Sequence, residues 1–179
     1  MLQEILAGFC HAAFQRTRIS CAFRTAFVIV RRHGEFLAAQ RGILIVEDNP
    51  GDVRLMREAL RDVEPPVAIH VAGDGEQALR LLRGEEQNCA ALKPALIFLD
   101  FNLPKSDSRD ILRQVKEDPH LRVIPIAVLT TSDSERDIRE AYELYANCYL
   151  RKPGDLDGFL NTIRTTAYFW LNVASLPHE

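Results

Sequence analysis

From Gly42 to the end of the chain, short apolar runs alternate with amphipathic stretches, and each kind of segment predicts its own element. Ile43–Val46, Val67–Ala72, Ala95–Leu99, Ile126–Leu129 and Cys148–Leu150 are almost unbroken apolar runs of strand length. Runs of that kind are expected of strands buried on both faces, as in a parallel sheet. Between them, apolar residues recur at helical spacing. Val53, Met56, Leu60 and Val63 form one stripe that ends at Pro65-Pro66. Ala78, Leu79, Leu81 and Leu82 form a second, between Asp74, a cap with Gln77 three residues on, and Gly84. Ile111, Leu112 and Val115 form a third between Asp107 and Pro119, and Ser132-Asp133-Ser134-Glu135, spelled like a capping box, opens a fourth helix. A last helix runs from about Asp155 through Leu156, Leu160, Ile163, Ala167 and Trp170. Five βα units predict an α/β fold, a doubly wound parallel sheet with helices on both faces.

Parallel strands deliver their C-terminal ends to one rim, and in a doubly wound sheet the ligand crevice lies beyond those ends. Four of the apolar runs finish beside residues that handle phosphate or magnesium: Glu47-Asp48, Asp100, Thr130 and Lys152. Magnesium prefers octahedral oxygen ligation from one or two carboxylates, waters and phosphate, and Glu47, Asp48 and Asp100 supply that oxygen. Clustered carboxylates repel one another, and a divalent cation offsets the repulsion while drawing phosphate in. Each residue alone has an ordinary explanation: a Glu-Asp pair after a strand is a helix-start charge, a strand-end Thr is a cap, and a Lys before Pro is solvated. Their joint spacing, with Thr130 thirty residues beyond Asp100 and Lys152 twenty-two beyond Thr130, favours a site.

At 179 residues the chain suits one domain with a sizeable core. Its net charge of −3 hides an asymmetry: residues 1–42 carry six Arg and two Glu, whereas the rest carries sixteen basic and twenty-three acidic side chains. An acidic domain lacks the clustered positive face that phosphate backbones require, which argues against direct DNA binding. Cys10, Cys21, Cys89 and Cys148 have no metal-ligand spacing and read as isolated thiols of a reducing cytoplasm. No apolar stretch reaches the roughly twenty residues needed to span a bilayer, so no membrane role is expected.

Across Gly42 to about Ala174 the chain resembles the receiver domains of two-component response regulators. The resemblance rests on Glu47-Asp48, on Asp100 with Asn102 and Pro104, on Thr130, and on Lys152-Pro153. The spellings EDNPGDV, DFNLPKSDSRD and FWLNVASLP look like the stand-alone regulators that partner bacterial phytochrome-type histidine kinases. The resemblance implies a flavodoxin-like strand order, 2-1-3-4-5. It also implies Mg2+ held by Asp48 and Asp100, by Glu47 mostly through water, and by the Asn102 backbone carbonyl. Asp100 would accept a phosphoryl group from a kinase phosphohistidine, with Lys152 neutralising charge and the Thr130 hydroxyl then binding the phosphate. Tyr149 would turn inward as the readout face of the fourth and fifth helices and the fifth strand shifts. Pro153 would follow a cis peptide bond that aims the Lys152 amine inward.

Several expectations are particular to this chain. Ser108 stands where many relatives have Gly in the turn after Lys105, so that turn must either avoid positive φ or tolerate it at a modest strain. Ser132 is small enough to admit hydrolytic water, so the lifetime of a phosphoryl group should depend on Ser132 and Asn102. Phe169 and Trp170 near the end of the last helix suggest a homodimer, with ordinary core packing as the plain alternative. Residues 1–41 lie outside the resemblance and read as an unstructured extension rather than a targeting segment, with residues 175–179 a short tail and no room for an output domain. Two other functions compete. An aspartyl-nucleophile, magnesium-dependent phosphatase usually needs a second acid two residues beyond the nucleophile, where this chain has Asn102. A receiver-shaped binding module that is never phosphorylated is disfavoured by a complete acidic site.

Overall fold

The computed structural model describes residues 42–85, 90–104 and 108–177. Five parallel strands, β1 Gly42–Val46, β2 Ala68–Ala72, β3 Pro94–Asp100, β4 Ile126–Thr130 and β5 Cys148–Arg151, form one sheet in the order β2-β1-β3-β4-β5. The helices between and after them are α1 Pro50–Leu60, α2 Gly75–Arg83, α3 Ser108–Glu117, α4 Glu135–Glu143 and α5 Leu156–Tyr168. A π-helical turn, Phe169–Val173, continues α5. The expected extension lies outside the described residues, as do Lys105 and Asp107.

Strand alternation explains why the runs are apolar throughout. Leu44, Val46, Ile97 and Leu99 face one core with Leu79 and Leu82 of α2 and Leu112 and Val115 of α3. Ile43, Ile45, Leu96 and Phe98 face the opposite core with Met56 and Leu60 of α1 and Phe159 and Ile163 of α5. Two faces each need an apolar partner, and successive strand residues serve them in turn. Only the outermost strands relax the pattern: β2 is mostly half-buried and carries His70.

Caps place the helices. The Asn49 side chain accepts from Gly51 N at 2.8 Å and Pro50 starts α1, while Asp74 accepts from Gln77 N at 2.8 Å to start α2. α2 ends on Gly84 at φ +70°, where a Cβ would lie 2.8 Å from the Ala91 backbone nitrogen, so both conformation and space demand glycine. α1 stops at Leu60, short of the proline pair, and Val63 is buried in the turn that follows.

The capping box expected at the start of α4 does not form. The N-cap is Ser134, without a side-chain cap bond, which puts Glu135 at the first helical position rather than the third, where the box needs its acid. Ser132 does the local work instead, its Oγ accepting from Ser134 N at 3.2 Å and donating to Asp137 Oδ2 at 2.7 Å. α4 buries a single residue, Ala141, so polar contacts have an unusual share in holding it. Opposite the rim, Lys116 Nζ donates to Ile124 O at 2.7 Å and to Asn147 Oδ1 at 2.9 Å, tying α3 to the entrance of β4.

Candidate functional site

The acidic residues sit where the ladder delivers them. Glu47 follows β1, and its backbone N–H continues the sheet by donating to Ala72 O at 3.0 Å, which leaves the side chain 3% exposed at the rim. Asp100 ends β3 and is 6% exposed, whereas Asp48 is exposed. One oxygen of each carboxylate lies within 4.8 Å of the other two. Backbone donors fix the buried pair: Asn49 N donates to Glu47 Oε1 at 3.0 Å and Asn102 N to Asp100 Oδ1 at 2.8 Å.

Lys152 completes the cluster. Its backbone N–H donates to Thr130 O at 2.7 Å, extending the β5 pairing by one residue, and its ammonium donates to Glu47 Oε2, Asp52 Oδ2 and Asp100 Oδ2, each at 2.8 Å. The expected cis bond before Pro153 is not found. Among the described residues the cis peptide bond is Glu64–Pro65, and Lys152–Pro153 is trans. The ladder bond to Thr130 already directs the lysine stem along the rim, so a trans peptide suffices to aim the amine at the acids.

Burial pushes the Glu47 carboxyl up to about 7; the bonds from Lys152 and Asn49 pull against it, and the Asp100 charge adds to the rise. For Lys152, burial alone would favour the neutral amine, but the bonds to Asp100, Asp52 and Glu47 outweigh it and hold the pKa above its ordinary value. The two shifts are compatible because the ammonium is shared: one acid taking a proton leaves it two charged partners. Three carboxylates face one ammonium, Asp48 stands beside them, and the hard oxygen donors of Glu47, Asp48 and Asp100 fit a divalent cation.

A second layer surrounds this cluster. Thr130 ends β4 fully buried, and its Oγ1 accepts from Asn102 Nδ2 and from Ser132 N, both at 3.1 Å. Half-buried Tyr149 on β5 donates its hydroxyl to Ser132 O at 3.1 Å and meets the Phe101 ring edge-on at 6.2 Å. Arg109 of α3 stacks over Phe101, 4.3 Å from its centroid, and pairs with α4 through Asp137 at 3.2 Å and Glu140 at 2.7 Å. Asp137 also receives the Ser132 hydroxyl, so the contacts close into a ring running from the residue after Asp100, through α3 and α4, back to Thr130.

The structure thus brings Glu47, Asp48, Asp100, Thr130 and Lys152 to one rim, with Asn102 bonded to Thr130 and Tyr149 to Ser132 beside them. The turn after Lys105 lies outside the described residues; among those described, positive φ outside glycine falls on Tyr145. Ser108 begins α3 buried, and its hydroxyl donates to the Asp100 carbonyl at 2.7 Å, a contact that a glycine would not make. Sequence reasoning missed Asp52, although its place three residues after the Asn49 cap put it in the first turn of α1 at the same rim. It also missed Arg109, Asp137 and Glu140, whose pairing across 28 and 31 positions leaves no local signal.

Comparison with known proteins follows the same lines. A family model described as the response regulator receiver domain matches residues 43–164. The response regulator Rcp1 of Synechocystis sp. is 38% identical over 135 residues, 75% of this chain and 92% of that protein. The crystal structure of the phosphorylated cyanobacterial phytochrome response regulator RcpA is 41% identical, with a TM-score of 0.74 over 78% of this chain and 100% of that one. The Mn2+-bound form of Rcp1 is 39% identical, with a TM-score of 0.71 over 77% of this chain and 99% of its own.

Proposed function

We infer the function of this chain from one premise: it belongs to the response regulator receiver domain family. Asp100 accepts a phosphoryl group from the phosphohistidine of a sensor kinase. A carboxylate oxygen attacks phosphorus in line, the phosphorus–nitrogen bond breaks, and the imidazole leaves with the electron pair, giving an acyl phosphate on Asp100. The observation that carries this reading is the Lys152 ammonium, 2.8 Å from Asp100 Oδ2 at the centre of the acid cluster. There it can neutralise charge on the transferring oxygens. The carboxylates of Glu47, Asp48 and Asp100 and the backbone carbonyl of Asn102 would hold Mg2+, which when bound supplies further charge neutralisation at those oxygens.

Thr130 is the switch. Its oxygen already accepts two bonds, and its hydroxyl proton is the group able to donate to a phosphoryl oxygen. Movement of Thr130 toward Asp100 pulls on Ser132 N, and Ser132 carries Tyr149 and Asp137 with it, so the α4 face changes. Incubation with Mg2+ and acetyl phosphate, or with a cognate histidine kinase, is expected to place a hydroxylamine-labile phosphoryl group on Asp100; absence of label from both donors would reject the assignment. The kinship with Rcp1 and RcpA supports a phytochrome-type kinase as donor, acting in the cytoplasm. Among the described residues no helix is long and apolar enough to cross a membrane.

The phosphatase alternative gains nothing from the geometry, because the Asn102 side chain donates to Thr130 and presents no acid. Asn102 and Ser132 bear on how long the phosphoryl group survives. Filling the approach with Asn102→Met and Ser132→Leu is expected to lengthen its half-life about tenfold, roughly the loss of one water-positioning contact. Unchanged decay in the double variant counts against a water route there. The second partner is another copy of the chain. Tyr168, Phe169 and Val173 expose apolar surface at the end of the last helix, and sedimentation is expected to show dimers that dissociate in Phe169→Glu; a monomer before and after phosphorylation removes this partner.

A further inference from the structure

An ammonium has three N–H groups, and at Lys152 each has a carboxylate 2.8 Å away: Glu47, Asp100 and Asp52. The three differ in what the reaction asks of them. Glu47 and Asp100 belong to the cluster suited to a cation, and each has its remaining oxygen on a backbone N–H, so metal ligation or acyl phosphate formation alters their bonds to Lys152. Asp52 lies outside that cluster, on the first turn of α1 behind the Asn49 cap. Its side chain keeps 28% of its surface exposed, against 2% and 8% for the other two. Nothing in the phosphorylation cycle needs the Asp52–Lys152 bond to break.

We propose that Asp52 is the positioning residue that keeps the Lys152 amine over the reacting oxygens throughout the cycle, a role that rests on the reading of Asp100 as acceptor. Lysine is a point charge on a flexible four-carbon stem, so an amine meant to follow a moving charge needs one fixed partner. When Asp100 attacks, the new oxygen–phosphorus bond forms as the donor's bond to phosphorus breaks and its electron pair leaves with the donor. Negative charge passes from the carboxylate to the phosphoryl oxygens, and Lys152 turns one N–H from Asp100 Oδ2 to a phosphoryl oxygen. The bond to Asp52 is the pivot for that turn.

The test compares initial rates of Asp100 labelling by acetyl phosphate, followed by intact mass. Asp52→Ala is expected to slow labelling about tenfold, the scale of losing the support of a positioned group. Asp52→Asn, which keeps an acceptor oxygen at the same place, is expected to recover most of that rate. In a Lys152→Met background Asp52→Ala is expected to have no further effect, because Asp52 acts through the amine. In metal-free protein, reductive methylation of Lys152 is expected to be faster in Asp52→Ala than in wild type. A wild-type rate in Asp52→Ala, an Asn substitution no better than Ala, an equal loss in both backgrounds, or unchanged methylation each overturns the role. If wild type itself takes no label on Asp100, the acceptor assignment fails instead, and the two failures are distinct.

Discussion

Asp100→Asn is expected to fold and to take no label, with phosphoryl transfer from acetyl phosphate or kinase falling by more than about a thousandfold. An amide oxygen carries no full charge to attack phosphorus, and among the described residues no neighbouring acid is set to replace it. Glu47 and Asp48 share the rim, but Glu47 is tied down by Asn49 N and Lys152, and Asp48 is exposed away from the ammonium's three bonds. The fold should survive because Lys152 keeps Glu47 and Asp52 as partners and the Asp100 backbone remains in the β3–β4 ladder. Comparing circular dichroism and intact mass of both proteins after the same incubation separates loss of chemistry from loss of structure. Label on the Asn variant equal to wild type would exclude Asp100 as the acceptor. A second consequence follows from charge: Asp100 helps to raise the Glu47 pKa, so that pKa should move down in the variant.

The legibility of the site in the sequence has a physical basis. A sheet buried on both faces forces unbroken apolar runs, and where each run stops the chain meets solvent at one rim, so Glu47, Asp100, Thr130 and Lys152 were marked by the same boundary that ends their strands. Strand order was legible only through family resemblance, because nothing in β2 or β5 alone states which neighbour it pairs with. The parts that escaped depend on side chains meeting across the fold. Asp52 reaches Lys152 across 100 positions, and Arg109 reaches Asp137 across 28, so neither contact leaves a periodic trace.

Local spelling misled at the start of α4. The Ser132–Glu135 string fits a capping box, yet a tertiary contact wins: the Ser132 hydroxyl goes to Asp137, its backbone N–H to Thr130 and its carbonyl to Tyr149. Ser108 stands where many relatives have Gly and uses its hydroxyl on the Asp100 carbonyl. Both serines touch the acceptor strand or the switch, the places where local preference is most readily overridden by function.

Divalent-cation affinity is expected to rise steeply with pH up to about 7 and then level, because the Glu47 carboxyl, lifted to about 7 by burial, must be ionised to attract the cation directly or through water. Below that pH a proton and the cation compete, and each unit of acidification is expected to weaken apparent affinity by up to about tenfold. Without metal the sign reverses. A carboxyl whose folded pKa is raised stabilises the fold fully below its unfolded value of 4.5, and loses that contribution as pH climbs to about 7. This loss is at most about 3 kcal/mol. Lys152 does not add to the slope in this window: its folded pKa is raised, so its contribution is complete below 10.5 and fades only above it. Stabilisation by added Mg2+, read as the rise in melting temperature, should therefore grow between pH about 5 and about 7. Glu47→Gln cannot titrate, and should flatten both the metal-free decline and the growth of the Mg2+ effect. A slope equal to wild type in that variant would move the titrating group elsewhere in the cluster.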